Sequence, residues 1–297
     1  MNASDPITSF TEGDPTYLFG TFSAYPFCMM LGMLAAILTI CIFWKKERFQ
    51  WDILLTLIII TIPSAIVGAR LFFIIESAFN GDKEALSQWY AIWKGGLSIQ
   101  GGVIVSATCD LIYLRFKRRV IDVRKVFGII LPTVLIGQAI GRWGNYANHE
   151  LYGAETSYES IAWLGEAITI NMKINGYYRI PLFLIESVTS LVGYILIVWV
   201  ILNLGWTKPG TTGGIYALWY GIVRVIMEPM RTSQDFEYWY LVLAIIWIVL
   251  GLILIAYFEI TGKKIYDKYK VGKFSYIYVH KMIEYIPANV NTRWINK

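Results

Sequence analysis

Ile53-Leu-Leu-Thr-Leu-Ile-Ile-Ile-Thr-Ile-Pro-Ser-Ala-Ile-Val-Gly-Ala-Arg70-Leu-Phe-Phe-Ile-Ile75 decides the fold. A single side chain in this run, Arg70, is ionisable. A helix needs about 20 such residues to cross the hydrocarbon of a bilayer. Six further runs have the same character, at about 18–44, 95–114, 126–141, 182–204, 213–230 and 240–258. The 297-residue chain is 56% hydrophobic, which leaves little for a soluble domain. The expectation is therefore all-α: a polytopic helical bundle with seven transmembrane helices. Residues 1–258 form one transmembrane domain with an external loop at 142–181, and 259–297 a basic, aromatic tail.

Lys and Arg set the orientation. Residues 1–17 contain none, so the first span has no basic start of the secretory type. With the N-terminus outside, the inner loops and tail collect 18 Lys and Arg and the outer loops six, while Arg70 and Arg224 fall within spans. The positive-inside rule then places the N-terminus outside and the C-terminus in the cytoplasm. The tail mixes Lys and Arg with Tyr266, Tyr269, Tyr276, Tyr278 and Trp294. Contact with anionic membrane lipids explains this composition more simply than nucleic acid, and no nucleic-acid partner is expected.

Cys28, Cys41 and Cys109 all lie in apolar spans, where a thiol packs as a small hydrophobe. The chain has no Cys-x-x-Cys, no nucleotide-type glycine loop and no Gly-x-Ser-x-Gly elbow. No metal and no cofactor are expected.

Charges inside spans are costly and tend to mark function. Here they are Arg70, Asp110, Glu186, Arg224 and Glu228. In the orientation above, all but Asp110 fall towards the outer face. Gly141-Arg-Trp-Gly-Asn-Tyr-Ala-Asn-His-Glu150 closes the fourth span on that side, and Gly95-Gly-Leu-Ser-Ile-Gln-Gly-Gly102 opens the third. Tyr220, Arg224 and Glu228 are spaced i, i+4, i+8, with Arg231 at i+11, along one helix stripe. Arg224 and Glu228 admit two readings: an ion pair that locks the bundle, or a glutamate that aims an arginine at an anion. The glycine run is likewise open between close helix packing and backbone N–H groups offered to an anion. Intramembrane charge also suits a lipid transporter, but no two halves show matched interruptions.

The ten residues Gly141–Glu150 closely resemble the signature of bacterial prolipoprotein diacylglyceryl transferases. Gly95–Gly102 is similar to that family's glycine-rich motif, and Ile180-Pro-Leu-Phe-Leu-Ile-Glu-Ser187 to its proline-to-glutamate motif. Tyr220-Gly-Ile-Val-Arg224, Glu228-Pro-Met-Arg231 and Gly68-Ala-Arg70 also match, over roughly residues 18–260. The resemblance implies transfer of a diacylglyceryl group from phosphatidylglycerol to the thiol of a lipobox cysteine in prolipoproteins, in the bacterial plasma membrane. Carried over, it makes Arg142, Arg224 and Tyr25 catalytic. It places Arg142, Asn145, Glu150, Gly153, Arg70, Gln100, Glu186, Tyr220, Glu228 and Arg231 around the phosphatidylglycerol. Three positions depart from the family pattern. Gln100 stands where many relatives have a histidine proposed as the base, and Ile180 and Ile185 where histidine and tyrosine are usual. His149 is the one histidine near the motif, and in this setting it reads as a surface loop residue.

Overall fold

The computed structural model describes residues 10–11, 13, 16–18, 22–91, 96–231, 238–261, 266–271 and 275–280. The helices are α1 (Ala24–Lys46), α2 (Trp51–Asn80), α3 (Lys83–Ser87), α4 (Ile99–Lys117), α5 (Val123–Ala147), α6 (Tyr158–Ile161), α7 (Glu166–Asn171), α8 (Leu182–Tyr194, continued as a π-helix to Leu202), α9 (Thr211–Met227) and α10 (Tyr238–Thr261). Among the described residues, α1, α2, α5, α8 with its continuation, and α10 are long and apolar enough to cross a membrane. The third and sixth expected spans are helices too, but fall short of that measure. α4 is diluted by its glycines, Asp110 and Arg115. α9 has 17 residues, about 26 Å of rise. The mostly helical, membrane-suited architecture agrees with the sequence reading.

Two compact units divide the chain. Among the described residues, one holds those up to Phe43 and those from Arg124 to His280; the other holds those from Trp44 to Val123.

In the second unit α2 packs on α4 through small residues. A Cβ on Gly68 would lie 2.5 Å from the Gly101 carbonyl oxygen, and one on Gly101 would lie 2.3 Å from Cβ of Phe72. Backbones this close are what glycine permits and any other residue prevents. The contact accounts for Gly101 and Gly102 as packing positions. Thr61 Oγ1 donates to Asp110 Oδ2 at 2.7 Å, which gives the Asp110 carboxylate a partner.

The first unit uses the same device. Pairs Gly32/Gly137, Met29/Gly141 and Tyr25/Gly144 stack along an α1–α5 seam, at i, i+4, i+7 on one helix and the reverse on the other. α9 meets α10 through Gly214, Gly221 and Gly251. Thr212 Oγ1 donates to the Gly128 carbonyl at 2.6 Å, joining α9 to α5. Ser187 Oγ donates to the Ala139 carbonyl at 2.8 Å, joining α8 to α5. Large apolar side chains such as Leu38, Ile226 and Ile253 stay exposed, as on helices that face hydrocarbon.

Two boundaries depart from expectation. The fourth span does not end before the signature: α5 continues to Ala147, so Arg142 and Asn145 stand on its last two turns. The following segment is a folded module, not an open loop. It contains α6, α7 and a hairpin, Lys173–Ile174 paired with Tyr177–Tyr178. Tyr152, Ile161, Met172, Ile174 and Phe183 form its core. In the tail, Tyr266–Val271 pairs antiparallel with Ser275–His280, where the sequence suggested no strand. Trp294 lies outside the described residues.

Candidate active site

Three arginines and two glutamates meet in the first unit. α5 brings Arg142 from its last turns, α8 brings Glu186 from its first, and the end of α9 brings Arg224, Glu228 and Arg231. Glu186 pairs with Arg142 through Oε2 and Nε, with Arg231 Nη2 at 3.3 Å and with Arg224 Nη1 at 3.9 Å. Glu228 pairs with Arg224 Nη1 and Arg231 Nε, both at 3.4 Å. The stripe read from the sequence holds as far as Glu228. α9 then ends, and Pro229 leads a 3-10 turn that delivers Arg231 in extended backbone. Arg231 still reaches both carboxylates from there.

Burial separates the roles. The side chains of Glu186, Glu228 and Arg231 are 6%, 2% and 6% exposed, against 23% for Arg142 and 20% for Arg224. A buried charge is tolerated only when paired, and Arg231 is enclosed by its two carboxylates. Arg142 and Arg224 are the two arginines of the cluster whose side chains remain partly exposed. Between them the three cations exceed the two directly paired carboxylates by one charge, an arrangement suited to a monoanion. Arg224 Nη1, Glu228 Oε2 and Arg231 Nε are held by charge at 3.4 Å without an aligned hydrogen bond, so their remaining directional capacity is unspent.

Behind Arg142 runs a relay. Its Nη1 donates to Asn145 Oδ1 at 3.1 Å, and Asn145 Nδ2 donates to Glu150 Oε1 at 2.8 Å. The Tyr25 ring lies on Gly144, where a Cβ would come within 3.0 Å of it, two residues from Arg142 on the same helix. Arg224 sits 6.0 Å over the Tyr220 ring, one turn earlier. Tyr220 is stacked on Tyr216 and meets Trp247 edge-on.

Gly153 works at one remove. Its N–H donates to Ile180 O at 2.9 Å, it bridges Arg231, and Ala154 N–H donates to Met230 O at 3.2 Å. A Cβ there would lie 2.8 Å from Ile180 Cβ and 3.0 Å from Met230 O. This glycine thus lets the module after α5 clasp the backbone that carries Arg231.

Arg70 and Gln100 belong to the second unit. Arg70 donates to the carbonyls of Gln88 (2.6 Å), Trp89 (2.8 Å) and Gly96 (3.0 Å), and lies over the Phe73 ring. Its fork ties the Gln88 and Trp89 carbonyls to that of Gly96, just ahead of α4. Gln100 is exposed on the first turn of α4, and Gly95 lies outside the described residues.

His149 is not a surface residue. It is 4% exposed, has φ of +52° and stacks on Phe10 at 4.1 Å between centroids. Sequence reasoning missed Phe10 altogether. It also missed Asn175-Gly176, both with positive φ, which turn the module's hairpin. An Asn-Gly pair between short apolar segments is the signal that finds such a turn. Among the described residues there is no group of three or more His, Cys, Asp and Glu that could hold a metal.

Known proteins resemble this chain over most of its length. A sequence model of the prolipoprotein diacylglyceryl transferase family matches residues 17–257. A phosphatidylglycerol–prolipoprotein diacylglyceryl transferase of Mycoplasmopsis pulmonis (strain UAB CTIP) is 45% identical over 282 residues, 91% of this chain and 87% of that protein. Proteins of the same name from Streptococcus uberis (strain ATCC BAA-854 / 0140J) and Streptococcus sanguinis (strain SK36) are 36% and 37% identical. Each match covers 71% of this chain, and 79% and 80% of the respective relatives. With a matched region that runs from before α1 into α10 and includes the whole arginine–glutamate cluster, the chain belongs to the prolipoprotein diacylglyceryl transferase family.

Proposed function

We propose that this chain transfers the diacylglyceryl group of phosphatidylglycerol to the lipobox cysteine of prolipoproteins, at the outer face of a bacterial plasma membrane. Its seven helices cross with the N-terminus outside and the tail in the cytoplasm. In the reaction, the cysteine sulfur attacks the glycerol carbon that bears the phosphate. A C–S bond forms as the C–O bond breaks, the electron pair goes to the phosphate oxygen, and glycerol phosphate leaves. The thiol proton is released to the aqueous face.

The observation that carries this reading is the pair of partly exposed arginines, Arg142 and Arg224, paired with carboxylates that are themselves buried. The electrophile is a saturated carbon, so charge develops on the departing phosphate. Fixed cations at that point, in a site poor in water, stabilise the transition state without reorganising. Arginine suits the task because its planar donors engage two phosphate oxygens at once. The same positive field favours a thiolate, whose free thiol titrates near 8.5. Gln100 accepts no proton at neutral pH, so activation of the thiol is assigned to the arginine field. Arg70, Gly153, Glu186, Glu228 and Arg231 act as supports, and Tyr25, Asn145 and Glu150 set the aim of Arg142.

Phosphatidylglycerol labelled in its acyl chains, incubated with a lipobox peptide, tests the proposal. Label covalently bound to the peptide cysteine, absent from a Cys→Ser peptide, is the expected result. Label that crosses the bilayer but never joins the peptide would mean transport and overturn it.

A further inference from the structure

A helix leaves its last carbonyls without partners, and something must satisfy them. At the end of α5 the chain closes back on itself: His149 N–H donates to Tyr146 O at 3.2 Å and Glu150 N–H to Asn145 O at 3.1 Å. This is the Schellman pattern, in which the residue at His149 takes the left-handed conformation and is usually glycine. A side chain there is strained, and the strain persists only where surroundings over-determine it. Here the surroundings come from the other end of the sequence. Thr16 N–H donates to Ala147 O at 2.9 Å and Gly13 N–H to Asn148 O at 3.1 Å, taking up two of the orphan carbonyls. The Phe10 ring lies flat on His149, with 13° between the planes. Phe10 is itself fixed, donating to Lys173 O at 3.1 Å and accepting from Asn175 N–H at 2.9 Å. Thr16 has a second role: its carbonyl accepts from Ala24 N–H at 2.9 Å, immediately before Tyr25.

We infer that Phe10 and Thr16 are positioning residues of the transfer reaction. Glu150 directly follows the strained histidine, and it reaches Asn145 and thence Arg142 only while that turn keeps its shape. The Phe10–His149 stack holds the turn. Thr16 ties the same helix end to the start of α1, so a single residue links the backbone before Tyr25 to the end of the helix that carries Arg142. Neither Phe10 nor Thr16 touches the arginine cluster. Their effect passes through the Glu150–Asn145–Arg142 relay, so the inference rests on that relay being part of the working site. Errors of about 1 Å in the aim of such a group cost on the order of a hundredfold in rate.

The test compares Phe10→Ala, Phe10→Leu and Phe10→Tyr in the full chain, reconstituted in phosphatidylglycerol vesicles with a lipobox peptide. Arg142→Ala is run in parallel. Rate and thermal melting are measured on each. A stacking partner for His149 is kept by tyrosine and lost with leucine, although leucine fills the space. The expected result is Phe10→Tyr within about twofold of wild type, with Phe10→Leu and Phe10→Ala both down at least tenfold in kcat and melting within a few degrees. Should Phe10→Ala fail to fold, the leucine–tyrosine pair gives the same reading. If leucine restores the rate, or if losses follow melting, Phe10 merely fills space and the inference falls. A silent Phe10 series beside an inactive Arg142→Ala sinks this inference alone. An active Arg142→Ala sinks the reading of the site itself.

Discussion

Replacing Arg142 by alanine separates catalysis from folding. Arg142 is one of three guanidiniums on Glu186; without it the carboxylate keeps Arg231 at 3.3 Å and Arg224 at 3.9 Å. Removing the sole partner of a buried charge costs about 3–5 kcal/mol. Here the charge is not orphaned and the lost side chain is 23% exposed, so the folding loss stays below that range. The rate loss is larger. Taking away one fixed donor at a developing negative charge costs about 10²–10³, and a charged arginine on a departing phosphate stands at the upper end, roughly 4 kcal/mol of barrier. Arg231→Ala reverses the balance. That side chain is 6% exposed and holds both glutamates, and its loss leaves Glu228 with Arg224 alone. A destabilisation of about 3 kcal/mol is expected, with activity falling as the folded fraction falls. The assay is labelled-lipid transfer to a lipobox peptide, with a thermal melt of each protein in the same detergent. Turnover of Arg142→Ala within tenfold of wild type, or a loss that merely follows its melting, would refute the assignment of transition-state charge to Arg142.

Gly153→Ala forces a methyl to within 2.8–3.0 Å of Ile180 Cβ and the Met230 carbonyl. It should cost about 1–3 kcal/mol of stability and reduce transfer by shifting Arg231; an alanine variant with normal melting and rate counts against the clasp. Gln100→Ala is expected to lose no more than about tenfold, because an amide cannot serve as the base; a loss of ~10³ in single-turnover transfer would reveal a positioning role. Outside the membrane, Glu159 titrates below the ordinary carboxylate range, held there by its own backbone N–H and then by the Ser157 hydroxyl. Its contribution to the module's stability is therefore present above the unfolded carboxyl pKa and is lost as pH falls through the lowered value. Ser157→Ala should move the Glu159 titration upward by NMR, and an unchanged titration would remove the serine from the account.

Much of this was legible in the amino-acid order. Long apolar runs dictate helices because nothing else satisfies a backbone in hydrocarbon, and they form where expected. The Tyr220–Arg224–Glu228 spacing yields the ion pair it implies. The errors arise where local composition and tertiary packing disagree. Gly141-Arg-Trp-Gly-Asn reads as the start of a loop, since glycine and polar residues are poor in helix interiors. It stays helical because Gly141 and Gly144 are the close-contact positions of the α1–α5 seam. Arg231 lies off the stripe because Pro229 follows directly on the last turn of α9. His149 looked exposed because its cover, Phe10, is 139 residues away in the chain, and no short-range pattern reports such a pairing.

The α1–α5 seam has a consequence for the bilayer around it. Bilayers that thicken or thin make helices tilt, at a modest cost per ångström. Side chains that meet through flexible packing drift when that happens. Here Gly32 and Gly137 bring the two backbones into contact, with Met29 on Gly141 and Tyr25 on Gly144 at the next two levels, so α1 and α5 resist tilting apart. The seam thereby couples the helix that carries Tyr25 to the helix that carries Arg142 when the surrounding lipid changes thickness.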